Sequence, residues 1–150
     1  MISRKRDPQD VEVLTFGCRL NLVESEAMRR AALAHGRSNL VIVNTCAVTE
    51  EAVRQARQTI RRVKRERPEA EIAVTGCAAQ IDPDRFAAMP DVCRVIGNAE
   101  KADPASWAPG GSGVGVSNIM VAKAAPTILH EGVEDHTRAF LGVQTGCDHR

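Results

Sequence analysis

The chain has no tyrosine, and aromatic residues make up only 3% of its 150 positions. That scarcity leaves too few rings for a base-stacking platform of the kind that grips single-stranded nucleic acid. A surplus of one charge sign is missing too: a net charge of +1 with 26% charged residues describes a soluble globular chain, neither a basic arm nor an acidic tail. No apolar run approaches the roughly 20 residues that span a bilayer. The opening MISRKRDPQD lacks the apolar segment of a signal peptide. The expected setting is therefore the cytoplasm, with no membrane contact. There is no C-x-x-C pair, and His35, His130, His136 and His149 share no metal-like spacing with the cysteines, which argues against the usual zinc arrangements. The five cysteines of a cytosolic chain are thiolate ligands, redox groups or small buried side chains before they are disulfides.

What the chain does have is an internal repeat: a hydrophobic strand, a cysteine at its carboxyl end, and a helix. VEVLTFGC leads to Cys18, LVIVNTC to Cys46 and EIAVTGC to Cys77. The second copy is the clearest. Leu40 to Val43 is an unbroken aliphatic run suited to a strand covered on both faces. Thr49 can cap the following helix, Glu50 to about Arg67, whose Val53, Ala56, Ile60 and Val63 recur at helical spacing. In the first copy, Val11 to Phe16 reads as the strand. Asn21 reads as the cap of a helix to about His35, with Glu24 placed to reach back to it. In the third copy, Ile72 to Thr75 is the strand, and Asp82 followed by Pro83 opens a short helix to about Met89. Val92 to Ile96 reads as a fourth strand, and Asn98 as the start of a last short helix toward Trp107.

Four strands alternating with helices predict an α/β fold: a doubly wound, parallel, four-stranded sheet of the flavodoxin-like kind with right-handed crossovers. The expected domain covers residues 11–107. Residues 108–137 read as a linker because PASWAPGGSGVGVS is rich in proline, glycine and serine; its GSGVGVS neither follows a strand nor opens a helix, so it is no phosphate loop. Residues 138–150, RAFLGVQTGCDHR, read as the first strand of a second domain, which reaches Cys147 and then stops with the chain.

Ligands of parallel sheets sit at the carboxyl edge of the strands, which is where Cys18, Cys46 and Cys77 fall. Neighbouring strands lie about 4.8 Å apart, so three such thiols can come within roughly 10 Å of one another. One lone cysteine is ordinarily a small hydrophobe, but three at equivalent places in three repeats point to a shared metal or cluster site of thiolate ligands. Zinc would ordinarily take a fourth protein ligand. Single, spaced cysteines suit an iron-sulfur cluster, and three thiolates on a four-iron cubane leave one iron free to hold exogenous sulfur or substrate.

The words TFGCRLNLVES, VIVNTCAVTEEAVRQARQTIRR, VTGCAAQ and VIGNAEK resemble the N-terminal domain of the radical S-adenosylmethionine methylthiotransferases of tRNA and ribosomal protein. VQTGCDHR resembles the start of that family's second domain, whose cluster motif is CxxxCxxC. Among the subfamilies, GCRLNLVES and NAEK are most similar to the tRNA threonylcarbamoyladenosine methylthiotransferases. The resemblance implies an enzyme with two 4Fe-4S clusters that methylthiolates threonylcarbamoyladenosine next to the anticodon. It implies S-adenosylmethionine, a sulfur donor and a reductant as further partners of the tRNA substrate. On the same basis Cys18, Cys46 and Cys77 would hold the auxiliary, sulfur-delivering cluster, and Cys147 would be the first ligand of the radical cluster. The other two cysteines of that motif would follow Arg150, so the chain reads as a fragment, inactive by itself. A non-catalytic iron-sulfur carrier or redox sensor is the alternative reading of the same three cysteines.

Cys93, inside the fourth expected strand, reads as a small core residue. The second helix carries Arg54, Arg57, Arg61, Arg62, Lys64, Arg65 and Arg67. Such a run reads first as the solvated outer face of an amphipathic helix and second as a contact for tRNA phosphates.

Overall fold

The computed structural model describes residues 10–121. The three aliphatic runs become β1 (Glu12–Thr15), β2 (Leu40–Thr45) and β3 (Glu71–Gly76), followed by a short β4 (Arg94–Ile96) and β5 (Gly113–Gly115). All pair in parallel and stand in chain order, β1-β2-β3-β4-β5. Strand β2, flanked by β1 and β3, is buried at every position, as its unbroken hydrophobic run requires. Alternation sorts the side chains onto two faces. Leu14, Val41, Val43, Ile72, Val74 and Val95 meet one layer of helices, while Val11, Leu40, Ile42, Ala73 and Ile96 meet the other.

Helix α1 (Arg19–Ala34) packs Met28 and Ala32 onto the second of these faces, together with Trp107. Helix α2 (Glu50–Glu66) lays Val53, Ala56, Ile60 and Val63 on the first. Burying a valine or isoleucine there contributes about 1.5–3 kcal/mol each, which fixes which side of α2 looks outward. Thr49 caps α2 as expected, its hydroxyl accepting from the Ala52 amide at 3.1 Å. Two short helices on the same face, α3 (Cys77–Ile81) and α4 (Pro83–Ala87), lead to β4. Asp82 breaks them apart and caps the second, accepting from the Arg85 amide at 3.1 Å.

The doubly wound, flavodoxin-like α/β class is as expected, with five parallel strands rather than four. The fifth lies in the glycine-rich stretch expected to be linker. It joins through backbone bonds alone, Gly113 N donating to Cys93 O at 3.1 Å and Gly97 N to Gly115 O at 2.8 Å. The expected uniform right-handedness does not hold. Every crossover steps the same way across the sheet, so connections on opposite faces have opposite hands: α1 on one face, α2 to α4 on the other.

Two further expectations are corrected. Helix α1 is capped three residues earlier than expected, with Cys18 at the cap position and no side-chain capping bond. Asn21 is instead buried in its first turn, because its amide bridges Phe16 O at 2.8 Å and Thr45 O at 3.1 Å. The helix expected from Asn98 is two 3-10 turns, Glu100–Ala102 and Pro104–Trp107, divided where Asp103 caps the second by accepting from the Ala105 amide. The expected strand near Phe140 to Val143 and Cys147 lie outside the described residues. No helix among the described residues is long and apolar enough to cross a membrane.

Candidate metal centre

Parallel strands carry all their carboxyl ends to one edge, and the three repeat cysteines sit there. Cys46 directly follows Thr45 at the end of β2, and Cys77 directly follows Gly76 at the end of β3. Thr45 and Gly76 are register partners, so the two cysteines occupy the next step of adjacent strands. Cys18 lies three residues beyond β1, and the intervening Gly17 presses on Cys46: a Cβ on Gly17 would stand 2.6 Å from the Cys46 sulfur. Gly17 also has φ +104, a conformation that side chains resist. The approach of β1 to the end of β2 therefore depends on glycine.

A buried polar network holds the three strand ends in place beneath the cysteines. The Asn44 amide donates to Asn21 O at 3.0 Å and to the Ser25 hydroxyl at 3.1 Å. Thr15 donates to the same hydroxyl at 2.7 Å. Thr45 donates to Thr75 O at 2.6 Å and accepts from the Ala79 amide at 3.2 Å. The network ties the strand ends together, although Asn44 Oδ1 and Thr75 Oγ1 are buried within it without a hydrogen-bond partner among the described residues.

The three thiols differ in setting. Cys46 is buried, and its sulfur accepts from the Val48 amide at 3.5 Å. Cys18 and Cys77 are exposed. The Cys18 thiol reaches Asn21 Oδ1 at 3.7 Å. Partial burial pushes the Cys77 thiol up; Lys101 and a hydrogen bond from Asn98 oppose this, while Cys46 and Glu24 add to it. Among the described residues, no group of three or more His, Cys, Asp or Glu side chains stands close enough together to hold a single metal ion. The donor set on this edge is all sulfur, from separate strands with two members open to solvent, and such a set fits a multi-iron cluster added from outside better than a lone hard cation.

Cys93 is not a core residue. It precedes β4, is exposed, and donates its thiol hydrogen to Ile72 O at 3.0 Å. His35 caps the far end of α1, away from the cysteine edge, and Cys147, His130, His136 and His149 fall outside the described residues. Sequence reasoning missed the ion pair behind Cys77: Lys101 Nζ lies 2.6 Å from Glu24 Oε2, and both side chains are buried. Its signal was the lysine between Glu100 and Ala102 in NAEKA, where a helix expectation left it no task.

The family model described as uncharacterized protein family UPF0004 matches residues 10–98. Over 138 residues the chain is 44% identical to the threonylcarbamoyladenosine tRNA methylthiotransferase MtaB of Rickettsia prowazekii, covering 92% of this chain and 33% of that protein. Its likeness to the protein of the same name in Bacillus subtilis is 32% over 155 residues, 89% of this chain and 33% of the other. A tRNA-2-methylthio-N(6)-dimethylallyladenosine synthase of Novosphingobium aromaticivorans is 32% identical over 153 residues, covering 94% and 34%. The chain thus spans about a third of the length of the curated relatives it matches.

Proposed function

We infer function from one premise: the chain belongs to the UPF0004 family, the N-terminal methylthiotransferase domain. On that premise it is part of a cytoplasmic tRNA methylthiotransferase that acts on threonylcarbamoyladenosine, the substrate in the names of several relatives. The observation that carries this reading is the set of Cys18, Cys46 and Cys77 at one edge of three adjacent parallel strands. Those three residues would hold a 4Fe-4S cluster, and Cys147 would begin the ligand set of a second, radical-generating cluster that uses S-adenosylmethionine. The chemistry supplied at the three-cysteine edge, when occupied, is delivery of sulfur to an unreactive adenine carbon, with a sulfur donor and a reductant as further partners.

The chain's own residues do the positioning. Gly17 and Gly76 let the strand ends close on β2, the Asn44 and Thr45 network fixes them, and the Val48 amide points at the Cys46 sulfur. Exposure of Cys18 and Cys77 leaves the site open to a partner carrying the adenine.

Anaerobic reconstitution of the full-length protein tests this reading. The expected product is brown, with the absorption and magnetic signature of a four-iron cluster beyond the radical-domain cluster, and the extra iron is lost when all three cysteines become alanine. Stoichiometric zinc, or iron undiminished in the triple variant, would overturn the site. Cluster binding without methylthio-adenosine in tRNA from cells relying on this protein would leave the carrier reading instead.

A further inference from the structure

Helix α2 carries a group of cations without acidic partners among the described residues, while several other arginines there are neutralised. Arg29 and Arg30 share Glu26, Arg37 meets Glu71, Arg54 meets Glu51, and Arg67 meets Glu12. Arg61, Arg62 and Arg65 lie exposed from about two turns beyond Arg54 on α2 and make no ion pair or hydrogen bond among the described residues. Their spacing crowds like charges at i, i+1, i+3 and i+4, which costs an isolated helix a few tenths of a kcal/mol per pair. A helix selected only for stability would intersperse acids there, as α2 does in its first turn with Glu50 and Glu51.

The arginines also border a cavity. An open groove of about 950 Å³ is lined by Gln55, Gln58, Arg61, Arg62 and Arg65 of α2 and by Thr15, Phe16 and Gly17, with Asp91 its one acidic wall residue. Gln55 to Arg65 spans ten steps of helix, roughly 15 Å. The buried Val53, Ala56, Ile60 and Val63 hold the opposite face against the sheet, so the basic face cannot turn away. Gly17, at the groove's other wall, is the residue before Cys18. A chain-like anion following the arginines would therefore arrive at the cysteine edge.

We propose that the groove between α2 and the β1–α1 turn binds the phosphodiester backbone of the RNA substrate and leads it to the three-cysteine edge. The proposal rests on the tRNA reading above. Repeating phosphates match a row of arginines with bidentate donors, and Gln55 and Gln58 add neutral donors suited to phosphate or ribose oxygens. With Phe16 as the groove's single ring, the contact is to backbone rather than bases.

The test measures binding of the full-length protein to an unmodified anticodon stem-loop RNA and to a scrambled RNA across a salt series. Replacing Arg61, Arg62 and Arg65 by glutamine is expected to weaken both RNAs alike. The slope of log affinity against log salt should become shallower by about 2 to 3, since each lost phosphate contact removes about 0.7–0.9. Arg54→Gln, whose arginine is already paired, is the control and leaves the slope unchanged. An unchanged slope in the triple variant, equal loss in the control, or displacement of RNA by a polyglutamate peptide at equal charge would overturn the proposal. Iron content is read in the same samples. A full cluster with an unaltered slope refutes the groove alone, and an altered slope in a protein that binds no auxiliary cluster refutes the three-cysteine reading alone.

Discussion

The Glu24–Lys101 pair gives the sharpest test of how the cysteine edge is supported. Lys101 is 6% exposed and Glu24 7%, and their charged atoms lie 2.6 Å apart. The pair links the first half of α1 to the 3-10 turn after β4, and Trp107 Nε1 pins that turn by donating to Lys101 O at 3.0 Å. Removing one partner strands a charge where water cannot reach it. Lys101→Met is therefore expected to cost about 3–5 kcal/mol, and Glu24→Leu a similar amount through the unpaired ammonium. Replacing both, as Glu24→Leu with Lys101→Met, removes the stranded charge, so the double variant should be nearer to wild type than either single one.

Urea unfolding at neutral pH, followed by circular dichroism, reads these differences if the m-value stays constant. For a domain of about 100 residues, 3 kcal/mol corresponds to a fall in Tm of about 12 °C or more. Single losses below about 1 kcal/mol would mean the pair behaves like an exposed one and the burial argument fails. Strict additivity in the double variant would refute it equally, since it would leave no coupling between the two charges.

Gly76→Ala should destabilise by about 1–3 kcal/mol in the same assay, because φ is +95 and the new Cβ would stand 2.6 Å from Thr45 N, a backbone atom that cannot yield. Gly17→Ala meets a side chain instead, so its expected signature is lower iron uptake on reconstitution, through a displaced Cys46, with a smaller loss of stability. Burial, and next to it Glu71, push the Cys93 thiol up; despite its exposure it should alkylate more slowly than free cysteine at pH 8, and Cys93→Ser should leave iron content unchanged. Burial pushes the Glu26 carboxyl up, but Arg29 and Arg30 hold it below its ordinary value of 4.5 overall. Its share of stability is present above 4.5 and is lost as pH falls through the lower folded value, so Glu26→Gln should flatten the acid limb of an unfolding curve below about pH 4.5.

Elements written in side chains were legible before the structure. The run Leu40–Val43, the Thr49 cap, and Asp82 before Pro83 each carry a local physical signal, and each stands where that signal placed it. Elements made by backbone or by long-range partners were not. β5 is Gly-Val-Gly, exposed throughout, and owes its place to the free edge of β4 rather than to any hydrophobic period. Asn21 has the right type and place for a cap, but a carbonyl 24 residues away competes for its amide and wins. Glu24 was drawn from the same capping expectation by a lysine 77 residues away. Cys93 sits one residue outside a strand shorter than its apolar letters suggested.

The three repeats are not identical, and their differences follow from the position of each strand. The residue before the cysteine is Gly17 in the first copy, Thr45 in the second and Gly76 in the third. β2 lies between the other two, so its end must be approached from both sides. Gly17 closes on Cys46 and Gly76 closes on the backbone of Thr45, and in both cases a Cβ would fill the space that β2 occupies. Thr45 can keep a side chain because it is the residue being approached, and it uses that side chain to bind outward, donating to Thr75 O and accepting from the Ala79 amide. Exchanging the roles, with glycine in the centre and threonine at the flanks, would keep the composition and the cysteine spacing. It would nonetheless distort the edge, since the flanks would clash and the centre would lose the hydroxyl that binds Thr75 O and the Ala79 amide. The Gly-Cys, Thr-Cys, Gly-Cys order is therefore a consequence of the strand order, and it is the strand order that brings the three cysteines of a linear repeat to one edge of the sheet.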